Sequence, residues 1–264
     1  MEIFKELIDY KKYLEKNPFH TDLNISLEKY GDLKRKHEKQ LNLDPENKIA
    51  FETELDDLIR LHFLVVSRKV TTILEFGVGK STYVFNDALK RNKINYLSYV
   101  KNNLRGSNLF ECHSVDNNEE WINFTKNQFK SLDNITFYHS NCEMSTFNSR
   151  ICTFFNKLPN ICPDLIYLDA PDQWSPKGNI RGISTNHPDR LPMSADILTI
   201  EHFLLPGTLI VIDGRTANAR FIKCNLQRNW NYHYDSKFDQ HFFELEEEPL
   251  GGYNKKQIEF CLSK

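Results

Sequence analysis

Hydrophobic spacing divides this 264-residue chain into two parts. From Met1 to about Val66, apolar residues recur at three- and four-residue steps, which predicts helices around a charged, exposed stretch at 17–44. Asp44 followed by Pro45 predicts a helix start, because Asp caps a helix and Pro fits its first position. From Val70 onward, short apolar runs alternate with helical patterns, which predicts βαβ units. We therefore expect a helical N-terminal extension over residues 1–68 and an α/β domain over residues 69–264.

The second part predicts five strands, at residues 71–76, 109–116, 135–139, 164–169 and 208–213. Helical patterns are predicted at 81–90, 119–129, 147–156, 195–204 and 216–227, and the segment 92–108 is predicted as a surface excursion. The tail adds strand-like stretches at 232–235, 241–246 and 257–262, with a turn at 248–252. Because no helical pattern separates the final pair, they predict an antiparallel edge. The expected fold class is α/β, with a doubly wound, mostly parallel seven-stranded sheet and an antiparallel C-terminal edge.

Composition narrows the class of protein. Hydrophobic residues make up 40% of the chain and charged residues 27%, which is typical of a globular protein. The formal net charge of −2 supplies no general basic field, so we expect no nucleic-acid partner. The six cysteines form no C-x-x-C pair, which counts against a zinc site or a disulfide framework. No apolar stretch approaches the roughly 20 residues that span a bilayer, so we expect a cytoplasmic protein.

The strongest local signal is a strand that ends in Glu75 and continues through Gly77 and Gly79 into a helix at Ser81 and Thr82. In a doubly wound sheet, ligands bind beyond the carboxyl ends of the strands, and glycines there let a ligand approach the backbone. This loop is therefore the first candidate ligand site.

A phosphate loop is one alternative for this segment. Gly79, Lys80 and Ser81 match the end of the pattern G-x-x-x-x-G-K-[ST], and Asp169 would hold magnesium in a kinase or NTPase. That pattern requires a glycine where this chain has Leu74, so one necessary residue is missing.

The other alternative is a nucleoside cofactor. Glu75, Gly77 and Gly79 resemble motif I, E/D-x-G-x-G, of the class I S-adenosylmethionine-dependent methyltransferases. Asp116 ends the second strand and resembles motif II, where a carboxylate can accept hydrogen bonds from both ribose hydroxyls. The resemblance covers residues 70–264 and implies a Rossmann-like fold, with S-adenosylmethionine as cofactor and S-adenosylhomocysteine as product.

The same resemblance implies further cofactor contacts. Asn141 and Cys142 follow the third strand, where the family contacts adenine, and Asp169 ends the fourth strand as in motif IV. Ser81 and Thr82 open the helix after the glycine loop and complete the expected cofactor site.

The polar segment at 171–192 is expected to form a loop over the substrate. Its candidate substrate contacts are Trp174, Arg181 and Arg190. Arginine is suited to this role because its guanidinium can clamp a phosphate or carboxylate. His187 is the candidate general base, since its ordinary pKa lies near physiological pH, and Asp169 is the alternative base.

The fifth strand ends in Asp213, which brings a second carboxylate toward the pocket of Asp169. We expect Asp213 to orient the acceptor hydroxyl and Arg215 to hold negative charge on the substrate. Metal-dependent O-methyltransferases use acids at these two strand ends followed by a further Asp or Asn, whereas Gly214 and Arg215 follow here. That departure puts a divalent metal in doubt, because Arg215 opposes a cation, and no metal ligand is assigned.

These features together favour an S-adenosylmethionine-dependent methyltransferase that O-methylates a polar small molecule. A sugar, a nucleotide-linked sugar or a phosphorylated metabolite would suit the polar loop, and surface-polysaccharide or capsule modification is the nearest analogy. The alternatives are a P-loop-like kinase or NTPase and a non-catalytic, cofactor-binding subunit of the same fold. The N-terminal extension is expected either to cover the cofactor or to form a homodimer.

Overall fold

A computed structural model describes residues 2–29, 54–129 and 131–263. Among these residues, seven strands form the central sheet: β1 (Thr72–Phe76), β2 (Glu111–Asp116), β3 (Ile135–His139), β6 (Leu165–Leu168), β7 (Leu209–Asp213), β8 (Trp230–Asp235) and β9 (Gln240–Leu245). A separate hairpin consists of β4 (Cys142–Phe147) and β5 (Arg150–Phe155). The helices are α1 (Tyr10–Lys16), α2 (Phe19–Asp22), α3 (Leu55–Ser67), α4 (Lys80–Asn103), α5 (Glu119–Gln128), α6 (Asp196–Ile200), α7 (Thr216–Asn225) and α8 (Gly251–Leu262).

The sheet has the order β3-β2-β1-β6-β7-β9-β8. The first five strands in this order run parallel, while β9 pairs antiparallel with β7 and β8 pairs antiparallel with β9. The strand order reverses between β1 and β6 at the centre of the sheet, and such a switch point leaves a crevice at the carboxyl ends of the two strands. The expected α/β, Rossmann-like fold class with an antiparallel C-terminal edge is confirmed.

The predicted helix at 147–156 is wrong, because this stretch belongs to the β4–β5 hairpin. Phe147 pairs with Arg150 across a two-residue turn, and both turn residues have positive φ, 47° at Asn148 and 64° at Ser149. Positive φ at both central positions defines the type I′ turn that joins right-twisted strands, and asparagine tolerates it. The turn, rather than the apolar spacing on either side of it, decides the structure here.

The predicted strand at 257–262 is also wrong, since α8 covers it and begins within the predicted turn at 248–252. Its buried positions are Asn254, Gln257, Phe260 and Cys261, which recur at helical spacing. Two of these four are polar, so hydrophobicity alone hides the helical period. Asn254 donates to the carbonyl of Pro206 at 3.0 Å, which satisfies its buried amide.

The predicted excursion at 92–108 is wrong for most of its length, because α4 continues to Asn103. Asn92 is fully buried in α4 and donates to the carbonyls of Val65 and Val70, both at 3.0 Å. These two bonds join α4 to the end of α3 and the start of β1. A buried polar residue again interrupts the apolar pattern without interrupting the helix.

The described part of the N-terminal segment packs against the sheet domain. Leu14 and Phe19 belong to the hydrophobic cluster that contains α3, α4 and one face of the sheet. The hydroxyl of Tyr13 lies 2.6 Å from Nδ1 of His62, which ties α1 to α3. The predicted helix start at Asp44 and the rest of 30–53 lie outside the described residues, and the division at 68/69 stays a prediction. Within the described ranges, no helix combines the length and apolar character needed to cross a bilayer.

Candidate functional site at the carboxyl edge of the sheet

Four acids lie at or next to the carboxyl ends of neighbouring strands and share one face of the sheet. Side chains two residues apart in a strand lie on the same side, so Glu75 lies on the side of Ile73, which packs into the cluster with α3 and α4. The same alternation holds in β2, β6 and β7, and it places four acids on that side: Glu75, Asp116, Asp169 and Asp213. The strands that carry them are adjacent in the order β2-β1-β6-β7.

Glu75 is fully buried and organises the loop that follows it. Its carboxylate accepts three hydroxyl hydrogen bonds, from Ser81 at 2.7 Å, Thr82 at 2.8 Å and Ser114 at 2.5 Å. Burial raises its pKa to about 7, which the three hydroxyls oppose and the nearby Asp169 carboxylate reinforces. Both oxygens are engaged within the protein, so Glu75 joins β1, β2 and the first turn of α4 into one unit.

Gly77 occupies a position that a side chain would obstruct. Its φ is +99°, and a Cβ built there would lie 3.0 Å from the carbonyl oxygen of Asp169. Its N–H donates to the carbonyl of Val115 at 2.9 Å. Glycine is therefore required both by the backbone conformation and by the close approach of β6.

Val78 is held on both sides of its backbone. Its N–H donates to Oδ2 of Asp116 at 3.0 Å, and its carbonyl accepts a hydrogen bond from the indole N–H of Trp121. The other oxygen of Asp116 accepts from the N–H of Asn118 at 2.8 Å. Asp116 is 8% exposed, and burial raises its pKa, with a further increase from Asp169. Trp121 was not predicted as a site residue, and its only sequence signal is an indole one turn into the helix after the strand-end acid.

The N–H of Gly79 donates to the hydroxyl of Thr82 at 3.0 Å. Consequently three successive N–H groups of the loop, at positions 77, 78 and 79, all donate to oxygens of the protein itself. A loop that cradles phosphates needs such groups directed at the ligand. Here they are used to fix the loop next to the strand-end acids.

Arg215 pairs with Asp169 and fixes the chain beyond β6. Its guanidinium donates to Oδ1 of Asp169 at 3.0 Å, to the Asp169 carbonyl at 2.6 Å and to the Pro171 carbonyl at 2.8 Å. The Asp169 side chain is still 51% exposed. Asp213 accepts a hydrogen bond from the hydroxyl of Tyr167 at 3.3 Å.

The loop between β6 and α6 lies along the β4–β5 hairpin. Lys177 forms two backbone hydrogen bonds with β4, donating to Cys142 at 2.9 Å and accepting from Met144 at 2.8 Å. At the loop's far end, Thr153 of β5 donates to the carbonyl of Met193 at 2.9 Å. The loop is therefore anchored at both edges of the hairpin, and the predicted substrate loop is part of a layered structure.

The predicted loop residues fall into different settings. Arg181 is exposed with a φ of 56°, Trp174 is half-buried, and Arg190 donates to the carbonyl of Ser184 at 3.0 Å. The His187 side chain is 44% exposed, and its Nδ1 accepts from the N–H of Asp189 at 3.1 Å. In neutral histidine one ring nitrogen accepts and the other carries the proton, so this bond places the proton on Nε2. His187 is thus arranged to donate a hydrogen bond outward.

The predicted adenine contacts differ in exposure. Asn141 is exposed and its Oδ1 lies 3.5 Å from Nζ of Lys177. Cys142 is 1% exposed and packs into the second hydrophobic cluster, and burial raises the pKa of its thiol to about 12. The structure therefore brings Asn141 to the surface and holds Cys142 behind it. Among the described residues, no group of three or more His, Cys, Asp or Glu side chains is arranged to hold a metal ion.

Several solved structures are similar to this chain. The Podospora anserina methyltransferase PaMTH1 bound to SAH has a TM-score of 0.44 and 14% identity, over 74% of this chain and 80% of that one. The O-methyltransferase from Bacillus cereus in complex with SAH has a TM-score of 0.42 and 12% identity, over 90% and 100%. The O-methyltransferase TomG from Streptomyces achromogenes in complex with SAM has a TM-score of 0.38 and 10% identity, over 90% and 89%. No protein-family model matches the chain, and the search of curated proteins finds no match.

Proposed function

We propose that this chain is an S-adenosylmethionine-dependent methyltransferase whose cofactor lies at the carboxyl edge of β1, β2 and β6. One observation carries the proposal. The N–H groups of residues 77–79 in the glycine loop donate to oxygens of the protein, and the loop lies among the carboxylates of Glu75, Asp116 and Asp169. Such an edge repels phosphates and suits a ligand that brings positive charge and hydroxyl groups. For the phosphate-loop alternative, the N–H groups of residues 77–79 are already used within the protein, and the strand-end carboxylates oppose the charge of a phosphate.

The residues present fit S-adenosylmethionine. A carboxylate has about four acceptor positions, and the backbone N–H groups of Val78, Asn117 and Asn118 engage Asp116, so acceptor capacity remains for a ribose hydroxyl. Gly77 and Gly79 would admit the cofactor close to the backbone, and Glu75 with Ser81 and Thr82 would hold that loop in place. Asn141 would face the adenine. When bound, the cofactor supplies a methyl group made electrophilic by its sulfonium.

The chain's own residues would align and deprotonate the acceptor. Asp169 is a stronger candidate for the general base than His187. Arg215 fixes the position of one of its oxygens, while the side chain stays half exposed to an acceptor. Asp213 would orient the acceptor hydroxyl, and His187 would donate to the acceptor through Nε2. Trp174, Arg181 and Arg190 would complete the acceptor pocket, while Arg215 would act by positioning Asp169.

The acceptor we propose is a polar small molecule with a free hydroxyl, such as a sugar, a nucleotide-linked sugar or a phosphorylated metabolite. We propose capsule or other carbohydrate modification as the biological role of this methylation and a homodimer as the assembly of the enzyme. The six cysteines are free thiols, which agrees with a cytoplasmic location.

Calorimetry tests the cofactor directly. Titration with S-adenosylmethionine, with S-adenosylhomocysteine and with ATP and magnesium should give binding for the first two only. Tight ATP binding without S-adenosylmethionine binding would refute the proposed function. Binding of the cofactor with no S-adenosylhomocysteine formed from any hydroxylated acceptor would instead make the chain a non-catalytic subunit of the same fold.

A further inference from the structure

Two buried polar side chains in the loop between β6 and α6 have no hydrogen-bond partner for one of their atoms. Gln173 is 6% exposed and Thr185 is 5% exposed. Oε1 of Gln173 and Oγ1 of Thr185 are both enclosed and unpaired. Nearly all buried polar atoms in folded proteins are hydrogen-bonded, so an unpaired pair in one loop requires an explanation.

The loop carries Gln173 across the switch point of the sheet. On one side of it, the carbonyl of Pro171 is bonded to Arg215, which follows β7. On the other side, the hydroxyl of Ser175 lies 3.4 Å from Oδ1 of Asn117, which follows β2. Since β1 and β6 lie between β2 and β7 in the sheet, the stretch 171–175 passes over the carboxyl ends of β1 and β6.

Gln173 and Thr185 are joined through His187. The side-chain amide of Gln173 donates through Nε2 to the carbonyl of His187, and the N–H of His187 donates to the carbonyl of Thr185 at 2.7 Å. The two unpaired oxygens therefore belong to the facing limbs of one loop, beside the residue expected to contact the acceptor.

We propose that Gln173 and Thr185 form a subsite for neutral hydroxyl groups of the methyl acceptor. This rests on the proposed function and narrows its substrate class. Nε2 of Gln173 is already used, so its Oε1 can only accept a hydrogen bond, and a hydroxyl supplies the proton that it needs. A carboxylate or a fully ionised oxyanion such as sulfate offers acceptors alone. The pair therefore selects a polyol portion of the acceptor, such as a sugar ring, rather than an anionic group.

Both oxygens are enclosed in this conformation, so the acceptor reaches them only when the outer limb moves. That limb is the exposed stretch 178–184, which contains Gly178 and Gly182 at φ of 81° and 79°. Binding should therefore order the loop as well as satisfy the two oxygens.

Thr185→Val separates this role from a structural one, because valine keeps the shape and removes the hydroxyl. Thr153→Val is the matched control, since the Thr153 hydroxyl in β5 is also buried and unpaired but lies outside the loop. The probes are methyl α-glucopyranoside as a neutral polyol and sulfate as an anion without a hydrogen-bond donor. Each is titrated by ligand-detected NMR with and without S-adenosylhomocysteine, and thermal melts are recorded in parallel.

We expect the pyranoside to bind the wild type without competition from sulfate. Thr185→Val should weaken that binding about 3- to 10-fold, as for the loss of one neutral hydrogen bond, while Thr153→Val leaves it within about twofold. Without the probe, Thr185→Val should melt at or above the wild-type temperature, because it removes an unpaired buried hydroxyl.

The proposal is overturned by absent pyranoside binding, by displacement with sulfate, by equal losses in the two variants, or by a lower melting temperature for Thr185→Val. These outcomes are separable from the proposed function. If S-adenosylhomocysteine fails to bind, the proposed function fails, and the titration without it still decides the subsite. If S-adenosylhomocysteine binds and the pyranoside results fail, only the subsite is overturned.

Discussion

Asp116 supports the glycine loop and, in our proposal, the cofactor ribose, and two substitutions separate these tasks. Asp116→Ala removes the acceptor of the buried Val78 N–H, and leaving a buried donor unpaired costs about 1–3 kcal/mol of unfolding free energy. For a protein of this size, each kcal/mol lowers the melting temperature by about 2–4 °C, so we expect a decrease of about 2–12 °C. The bond from the Val78 N–H to Asp116 joins two separate elements, so only the folded chain shows this contribution to stability.

Asp116→Asn keeps one oxygen for Val78 and removes the charge. Its melting temperature should stay closer to that of the wild type than the alanine variant's does. Its S-adenosylmethionine affinity should fall about 10- to 150-fold, which corresponds to about 1.5–3 kcal/mol for a lost hydrogen bond to a charged group. Differential scanning fluorimetry and calorimetry on both variants provide the readouts. A dissociation constant within about threefold of wild type for Asp116→Asn would refute the ribose role, and an unchanged melt for Asp116→Ala would refute the loop role.

Three further predictions concern neighbouring residues. Trp121→Phe removes the indole N–H that donates to the Val78 carbonyl. It should weaken cofactor binding about 2- to 13-fold with little change in kcat at saturating cofactor. An unchanged cofactor affinity by calorimetry would show that this hydrogen bond does not support the cofactor site. Burial raises the pKa of Glu75 from 4.5 to about 7. Between these pH values the folded protein holds a proton that the unfolded chain releases, so the free energy of unfolding falls by up to about 3 kcal/mol as the pH rises from 4.5 to 7. Glu75→Gln should flatten that dependence in urea titrations at pH 5 and pH 8, and an unchanged slope would count against it. His187→Ala should raise the acceptor KM while kcat stays within a few fold of the wild-type value. A 10²- to 10⁴-fold loss of kcat, together with loss of the acidic limb of the pH profile, would instead identify His187 as the general base.

The amino-acid sequence by itself determined the parallel half of the sheet and the acids at its edge. Apolar runs of five or six residues that each end in an acid are a local signal, and the alternation of side chains along a strand fixes which face each acid occupies. Once β1, β2, β6 and β7 are parallel neighbours, Glu75, Asp116, Asp169 and Asp213 must reach the same edge. The sequence also predicted a glycine loop after β1 that includes Gly77, whereas the close approach of the Asp169 carbonyl to Gly77 becomes visible only in the folded chain.

Only the tertiary structure decided the contacts that give these acids their separate roles. Burial of Glu75 under three hydroxyls, the pairing of Arg215 with Asp169 and the clamp of Trp121 on Val78 all join residues from different elements, and no spacing along the chain encodes them. The same reason explains the helix at 251–262, which buries polar side chains whose hydrogen-bond partners lie elsewhere in the fold. The hairpin at 142–155 differs, because it depends on two positive-φ turn residues, a local feature that apolar spacing does not encode. The local sequence pattern limits the secondary structures that a segment can form, and the residues that it contacts across the fold determine its role.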